Sequence, residues 1–345
     1  MIMDIVPVID LAPLATESPA EKADIARQIG QACEGIGFFM VTGHGIDGGL
    51  IERAYATAAA FFDLPEDEKM QALKPAVHIN RGYSPFRSRT VGAEIDKSLK
   101  PSLQEGFAIG QPNVPDEAYF LGPQALNNFA PDIWPVRPAG FEPAMRAYYR
   151  AMEGLSHCLA EIFSLALALP PDFFAQRMDR HISTLRLVNY PALESEPEPG
   201  AIRSGEHSDT GVLTILLIDE IPGLQVKTRA GEWVDIRCCA GAFIVNIGDM
   251  MMQWTNDRWV STRHRVVNPP RGAGGAARRL SMPYFSQPNY DALIQCIETC
   301  TGPDNPPKYP PVTSGDHRLR RHEAIYGFAA GGKNPDRDLN SRRNM

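Results

Sequence analysis

The chain has 345 residues, 43% of them hydrophobic and 22% charged, which is typical of a globular protein that buries a sizeable core. Its net charge of −7 and pI of about 5.7 argue against a nucleic-acid-binding protein, which would usually carry a basic stripe. No stretch reaches the roughly 18 apolar residues of a membrane span, and the N-terminus resembles no secretion signal, so we expect a cytoplasmic protein without a membrane partner.

The first 140 residues are predicted to be helical or irregular, with a few short strands. Helices are expected at about 19–35 and 49–62, where apolar residues recur at helical spacing. Short strands are expected at 6–10, at 37–42 and, within a Gly- and Pro-rich stretch, at 104–109.

A long helix at about 141–169 precedes a change of character. The residues that follow form short β-prone runs separated by turn residues, namely 183–190, 212–218, 224–227, 232–236, 242–247, 259–267 and 278–286. Many short strands at this spacing predict a sandwich or a jelly roll with flanking helices. We therefore divide the chain into an N-terminal region at 1–140, a β-rich core with its long helix at 141–330, and a disordered tail at 331–345.

The six cysteines do not indicate a disulfide framework, because the chain is long and lacks a secretion signal. We interpret them as small buried side chains. They are Cys33, Cys158, Cys238, Cys239, Cys296 and Cys300.

One group of residues points to a metal site. His207 and Asp209 are two residues apart, and on a strand such side chains share a face. His264 is the best candidate for a third ligand, because 55 residues leave room for several strands and a return to the same place. Two histidines and one carboxylate leave open positions on the metal, which is typical of non-haem iron(II) oxygenases.

A second pair of residues points to an anion receptor. Arg279 and Ser281 are predicted to share one strand face, and a guanidinium fork with a hydroxyl suits the distal carboxylate of a small diacid. The neighbouring Arg278 points to the opposite face and is interpreted as a surface residue.

Ordered motifs along most of the chain resemble one family, the isopenicillin-N-synthase-like branch of the iron(II)/2-oxoglutarate-dependent dioxygenases. The matching segments are 7–11, 37–45, 61–69, 81–83, 185–191, 246–249 and 254–256, in addition to the metal and arginine motifs. The resemblance implies a double-stranded β-helix (a jelly roll), Fe(II), O2 as oxidant, and 2-oxoglutarate converted to succinate and CO2.

The resemblance also implies residue roles. Iron would be held by His207, Asp209 and His264, which are therefore the expected catalytic residues. The co-substrate 2-oxoglutarate would be bound by Arg279, Ser281 and Tyr190. Some family members carry an asparagine two positions before that tyrosine, where this chain has Val188, so that side chain has no matching role here.

The substrate wall is predicted from the regions that shape substrate choice in relatives. The candidates are Tyr83, Arg87, Phe107 and Phe285, each weighed against plain packing. His78 lies in the same irregular region and is a further candidate for the pocket.

Alternative functions stay open at this point. Some relatives oxidise their substrate on iron without 2-oxoglutarate and still carry the Arg-x-Ser pair. A non-catalytic binding module could keep the fold, and a hydrolase is a remote option because no Gly-x-Ser-x-Gly motif occurs. We expect a small-molecule metabolite as substrate; its identity, the choice between hydroxylation and desaturation or cyclisation, and the oligomeric state stay open.

Overall fold

The computed structural model describes residues 5–16, 18–76, 79–125, 127–193, 195, 197–237, 239–269 and 278–326. The predicted tail at 331–345 and His78 lie outside these residues. Among the described residues no helix is long and apolar enough to cross a membrane.

The helices match the predicted periodicity closely. Their bounds are α1 (Pro19–Gly35), α2 (Gly48–Phe62), α3 (Glu66–Met70), α4 (Ala118–Leu121), α5 (Phe141–Ala166), α6 (Asp249–Trp254) and α7 (Ser314–Tyr326). The first turn of α2 is capped by Asp47, whose carboxylate accepts hydrogen bonds from the backbone N–H groups of Gly49 and Leu50 at 3.2 Å.

The strands are short, as the turn-rich sequence predicts. Their bounds are β1 (Val8–Asp10), β2 (Phe38–Thr42), β3 (Gly82–Ser84), β4 (Glu105–Ile109), β5 (Thr184–Tyr190), β6 (Ser204–His207), β7 (Leu213–Ile218), β8 (Leu224–Lys227), β9 (Trp233–Asp235), β10 (Phe243–Ile247), β11 (His264–Val266), β12 (Arg279–Ser286), β13 (Leu293–Ile294) and β14 (Val312–Thr313).

Two sheets form the core of the fold. Within the described residues the larger sheet has the order β1-β2-β10-β7-β12-β5-β4-β3 and the smaller has the order β6-β11-β8-β9. Apart from the parallel β1–β2 pair, the neighbours in both sheets are antiparallel. Side chains of both sheets, such as Val188 and Val226, pack in one buried cluster between them. The fold is the predicted jelly roll.

Helix α5 covers the other face of the larger sheet. Its buried stripe includes Met145, Tyr149 and Met152, at the three-to-four-residue spacing of an amphipathic helix. These side chains share the main hydrophobic core with Leu185 and Met282 of the sheet. The opposite face of the larger sheet is turned towards the smaller sheet, and the candidate site lies between the two sheets.

The N-terminal region contributes more strands than predicted. Strands β1 to β4 all precede residue 140, yet they belong to the larger sheet. Strands β1 and β2 form one edge of it, and β4 and β3 form the other. The predicted strand at 259–267 is shorter than expected, because Val260 donates its backbone N–H to Cys33 at the end of α1 instead of to a neighbouring strand. The boundary at residue 140 stays a prediction.

The described cysteines are all free, and three of the five are buried as the sequence predicts. Cys33, Cys296 and Cys300 are buried, while Cys158 and Cys239 are partly buried. Cys238 lies outside the described residues.

Candidate active site

Three predicted metal ligands converge between the two sheets. One ligand atom each from His207, Asp209 and His264 lies within 4.8 Å of the other two. The Oδ1 atom of Asp209 lies 3.9 Å from Nε2 of His207 and 3.8 Å from Nε2 of His264. The two histidines are direct partners across the β6–β11 pair, which explains how residues far apart in sequence meet.

Backbone groups orient both imidazoles. The Nδ1 atom of His207 is 2.8 Å from the carbonyl of Gly205, and that of His264 is 3.2 Å from the carbonyl of Thr262. Each Nε2 therefore faces the shared space, where it is placed to bind a metal.

The predicted strand geometry is wrong for Asp209. Strand β6 ends at His207, and Asp209 lies in the following loop rather than on the same strand face. Its position depends on hydrogen bonds instead. Its Oδ2 atom accepts from Thr214 Oγ1 at 2.6 Å and from Asn246 Nδ2 at 2.8 Å, and its carbonyl accepts from the backbone N–H of Asp249 at 2.7 Å. Only Oδ1 is left to face the histidines.

Electrostatics favour the metal-binding protonation states. Burial, and then the neighbouring His264, holds the pKa of His207 well below its ordinary value. Burial opposes the charge on Asp209, but the two histidines and the hydrogen bonds from Thr214 and Asn246 outweigh it and lower the pKa of Asp209. A neutral His207 imidazole beside the Asp209 carboxylate suits a divalent cation. The donor set therefore fits iron(II).

Arg279 lies in the same cavity, as predicted. Its side chain is 1% exposed, and its Nε and Nη1 atoms have no hydrogen-bond partner among the described residues. The guanidinium lies 5.3 Å from the ring centre of Tyr190, its partner in the β5–β12 pair. An unpaired buried guanidinium is costly unless an anion binds it, so the site fits the carboxylate of 2-oxoglutarate.

Strand alternation decides which predicted residues reach the cavity. On β12 the side chains of Arg279, Ser281 and Phe285 line it, while Leu280 and Met282 pack into the core below α5. On β5 the side chains that line it are those of Thr184, Arg186, Val188 and Tyr190. Six predicted residues of the metal and co-substrate sites, together with Phe285, thus share one cavity.

Two predicted substrate-wall residues are elsewhere. Tyr83 and Phe107 are direct partners across β3 and β4, and both point away from the cavity into an aromatic cluster with Phe61. The Tyr83 hydroxyl donates to the buried carboxylate of Glu105. Both residues belong to the core, because the one-residue alternation of a strand places their neighbours, not them, on the cavity face.

Arg87 is also outside the described cavity lining. It is exposed and pairs with Glu198. Residues of the same loop two to five positions further on do line the cavity, including Arg89 and Gly92.

A set of polar residues on the cavity wall was not predicted from the sequence. They include Lys74, Asn80, Arg89, Gln104, Arg186, Asn246 and Gln287. The alternation on β5 offered a signal for one of them, since Arg186 is four residues before Tyr190 and therefore on its face. The loop residues carried no comparable signal.

Comparisons with known proteins agree with this geometry. Residues 6–137 match the family model for the N-terminal part of non-haem dioxygenases in morphine synthesis, and residues 182–288 match that of the 2OG-Fe(II) oxygenase superfamily. A 2-oxoglutarate-Fe(II) type oxidoreductase of Emericella nidulans is 33% identical over 94% of this chain and 91% of its own length. A homoarginine-6-hydroxylase of rice is 31% identical over 92% of this chain and 96% of its own.

Solved structures show the same fold. A full-length Neurospora crassa protein, solved in complex with alpha-KG and thymine, has a TM-score of 0.82 at 30% identity, covering 93% of this chain and 97% of that one. A putative 2OG-Fe(II) oxygenase of Caulobacter crescentus has a TM-score of 0.81 at 28% identity, covering 93% and 99%.

The chain belongs to the 2-oxoglutarate/Fe(II)-dependent dioxygenase family. It is an oxidoreductase that uses Fe(II), 2-oxoglutarate and O2. The predicted family, fold class, enzyme class and cofactors are confirmed.

Proposed function

We propose that His207, Asp209 and His264 hold the iron, and that Arg279, Ser281 and Tyr190 bind 2-oxoglutarate. The observation that carries this proposal is the buried Arg279 guanidinium, whose Nε and Nη1 lack partners in the described chain and which lines the same cavity as the three metal-ligand candidates. One carboxylate of the diacid would pair with that guanidinium, leaving the other end for the metal.

The proposed reaction is the oxidation of a C–H bond in a small molecule, by hydroxylation or by desaturation or cyclisation. The bound iron supplies the activation of oxygen, with 2-oxoglutarate giving succinate and CO2. This chain's residues orient the two reactants and keep water from them. The apolar side chains of Phe38, Val188, Leu216 and Phe285 form the part of the wall suited to an unactivated carbon skeleton.

The size of the cavity favours a small substrate. Its volume is about 240 Å³, below the roughly 300–1,000 Å³ of pockets for drug-sized ligands, and it has to hold the co-substrate as well. Similar proteins support the same class: one solved neighbour holds thymine, and another, JOX2, was solved with 2OG, Fe and JA. We therefore propose a free metabolite rather than a polymer as substrate.

We also propose that regions 1–140 and 141–330 work as a single catalytic unit. Phe38 of β2 packs edge-on against the His264 ring, with centroids 5.5 Å apart, so the N-terminal region touches a proposed metal ligand. Strands β3 and β4 extend the sheet that carries Tyr190 and Arg279.

The metal assignment is tested by metal analysis of purified variants. His207→Ala, Asp209→Ala and His264→Ala should each lose bound iron and succinate formation. His44→Ala is the matched control, because that ring contacts the carbonyl of Gly241 and lies outside the cavity lining in the described chain. Full iron occupancy in any of the first three variants would remove that residue from the site.

The co-substrate is tested by measuring oxygen uptake with and without 2-oxoglutarate. Uptake that requires 2-oxoglutarate and yields an equal amount of succinate is expected. Equal uptake in its absence would favour the related oxidases that do not use it.

A further inference from the structure

The cavity wall carries an excess of positive charge. Among the described residues its basic side chains are Lys74, Arg89, Arg186, Arg279, Arg318 and Arg321, whereas its carboxylates are those of Glu94 and Asp209. Asp209 is already assigned to the metal. The net positive charge of the other ionisable side chains exceeds the two negative charges of 2-oxoglutarate.

Three of these cations have roles or partners already named. Arg279 is assigned to 2-oxoglutarate. Arg321 lies 3.6 Å from Glu94 and 3.5 Å from Asp249, and Arg318 contacts the side-chain oxygen of Asn128. The other three, Lys74, Arg89 and Arg186, are here called the basic cluster.

The three side chains of the basic cluster line one cavity, and the two arginines lie close enough to act on the charge of Lys74. Burial, followed by the charges of Arg89 and Arg186, lowers the pKa of Lys74 to about 8. In the described chain, neither Lys74 nor Arg89 has a salt bridge to a carboxylate. Like charges in a half-buried place repel one another, and a bound anion would relieve this.

Local structure holds each member in place. The backbone N–H of Lys74 bonds to the carbonyl of Tyr83 at 2.9 Å. The carbonyl of Arg89 accepts from the backbone N–H of Ser102 at 2.9 Å. Arg186 reaches over Gly106, where an added Cβ would lie only 3.1 Å from its Nη2 atom, so the missing side chain leaves room for the guanidinium.

The cluster is separate from the 2-oxoglutarate anchor. Arg186 is four residues from Tyr190 on β5, which places it roughly 13 Å further along the strand at about 3.3 Å per residue. The co-substrate has two carboxylates, one for the metal and one for Arg279. An anion held by Arg186 therefore belongs to a second molecule.

We propose that the basic cluster binds a carboxylate of the substrate, so that the enzyme oxidises a small organic acid whose apolar body lies along Val188, Leu216 and Phe285. This inference rests on the proposed function and names the substrate class of the same cavity. Planar guanidinium groups suit a carboxylate, which they can bind through two parallel hydrogen bonds.

The test uses a panel of aromatic and alicyclic monocarboxylic acids, each paired with its own primary amide. Succinate formation by the iron-loaded enzyme is measured with each compound, and binding to the anaerobic Fe(II)·2-oxoglutarate enzyme is measured by calorimetry. Acids should stimulate turnover and bind, while their amides should do neither at the same concentration.

Variants then locate the recognition. Arg89→Gln and Lys74→Gln should each raise the KM for the best acid roughly ten- to a hundredfold, as expected for one lost charge-assisted hydrogen bond, and leave the KM for 2-oxoglutarate unchanged. Arg87→Gln is the matched control, because this arginine is in the same loop but pairs with Glu198 away from the cavity.

The experiment distinguishes failure of the proposed function from failure of the organic-acid proposal. If no succinate forms under any condition, the proposed function fails. If the enzyme turns over 2-oxoglutarate but amides act as well as acids, or no acid in the panel binds or stimulates, the organic-acid proposal is overturned. An unchanged KM for the acid in both cluster variants would overturn it as well.

Discussion

Arg279→Lys is the substitution that most directly probes how the site holds its co-substrate. It keeps the positive charge but replaces a planar fork with a point charge on a flexible stem. The arginine is 1% exposed, and two of its nitrogen atoms lack partners in the described chain, so both are available to a carboxylate.

The expected loss follows from the hydrogen bonds involved. A hydrogen bond to a charged group contributes about 1.5–3 kcal/mol, and each step of about 1.4 kcal/mol is a factor of ten in affinity. Losing one of the two arms of the fork should therefore raise the Kd for 2-oxoglutarate roughly ten- to a hundredfold. Iron should stay bound, since Arg279 is not among the converging ligand groups.

The assay is an anaerobic calorimetric titration of 2-oxoglutarate into the Fe(II)-loaded protein. Iron content is measured on the same samples. It reads binding directly and does not depend on knowing the substrate.

Arg278→Lys is the adjacent control. The structure corrects the simple interpretation of Arg278 as a surface residue, because it donates to Asn189 at 2.6 Å and to the carbonyl of Ala59 at 3.0 Å and also pairs with Asp63. Its lysine variant should lose some thermal stability but keep the wild-type affinity for 2-oxoglutarate. Equal affinity in wild type and Arg279→Lys would refute the assignment of Arg279 as the anchor.

Three further predictions follow from the same structure. Asn246→Ala should lower iron affinity about ten- to a hundredfold in a metal-competition titration, because it removes a hydrogen bond that orients a proposed ligand; unchanged affinity would contradict this. The KM for an acid substrate should rise as the pH passes above about 8, where Lys74, with its pKa lowered by burial and by Arg89 and Arg186, loses its charge; Lys74→Arg should flatten this rise, and a rise that persists would count against it. A fragment of residues 182–326 should be insoluble or unfolded by circular dichroism, since it lacks α5 and four sheet strands; a stable, active fragment would disprove the single unit.

The sequence was sufficient to predict the fold class and the groups that meet at the site. The alternation of turn residues and β-prone runs predicted a sandwich or a jelly roll, and the family resemblance selected the jelly roll. The spacing of Arg279 and Ser281 predicted a shared face. These patterns are local, or they join segments through motifs that occur in a fixed order, so they can be recognised without coordinates.

Side-chain direction in the irregular region was not predictable in the same way. Tyr83 and Phe107 lie in the right strands but on the wrong face, and a shift of one residue decides between the two faces. No neighbouring hydrophobic alternation fixed that choice, because β3 is three residues long and contains a glycine. Arg89 was missed because it lies in a loop, where a backbone contact with Ser102 rather than a strand or helix period fixes its position.

The approach of Gly106 to Arg186 has a consequence for how this enzyme can diverge. A methyl group at position 106 would meet the guanidinium at 3.1 Å, and the carbonyl of Leu187 at the same distance, so alanine would require these groups to shift by a few tenths of an ångström. A single substitution at position 106 would thus alter the placement of one residue of the basic cluster without changing any proposed ligand of iron or co-substrate. A comparison of metal ligands alone would not detect such a change, because no residue of the reaction centre is altered.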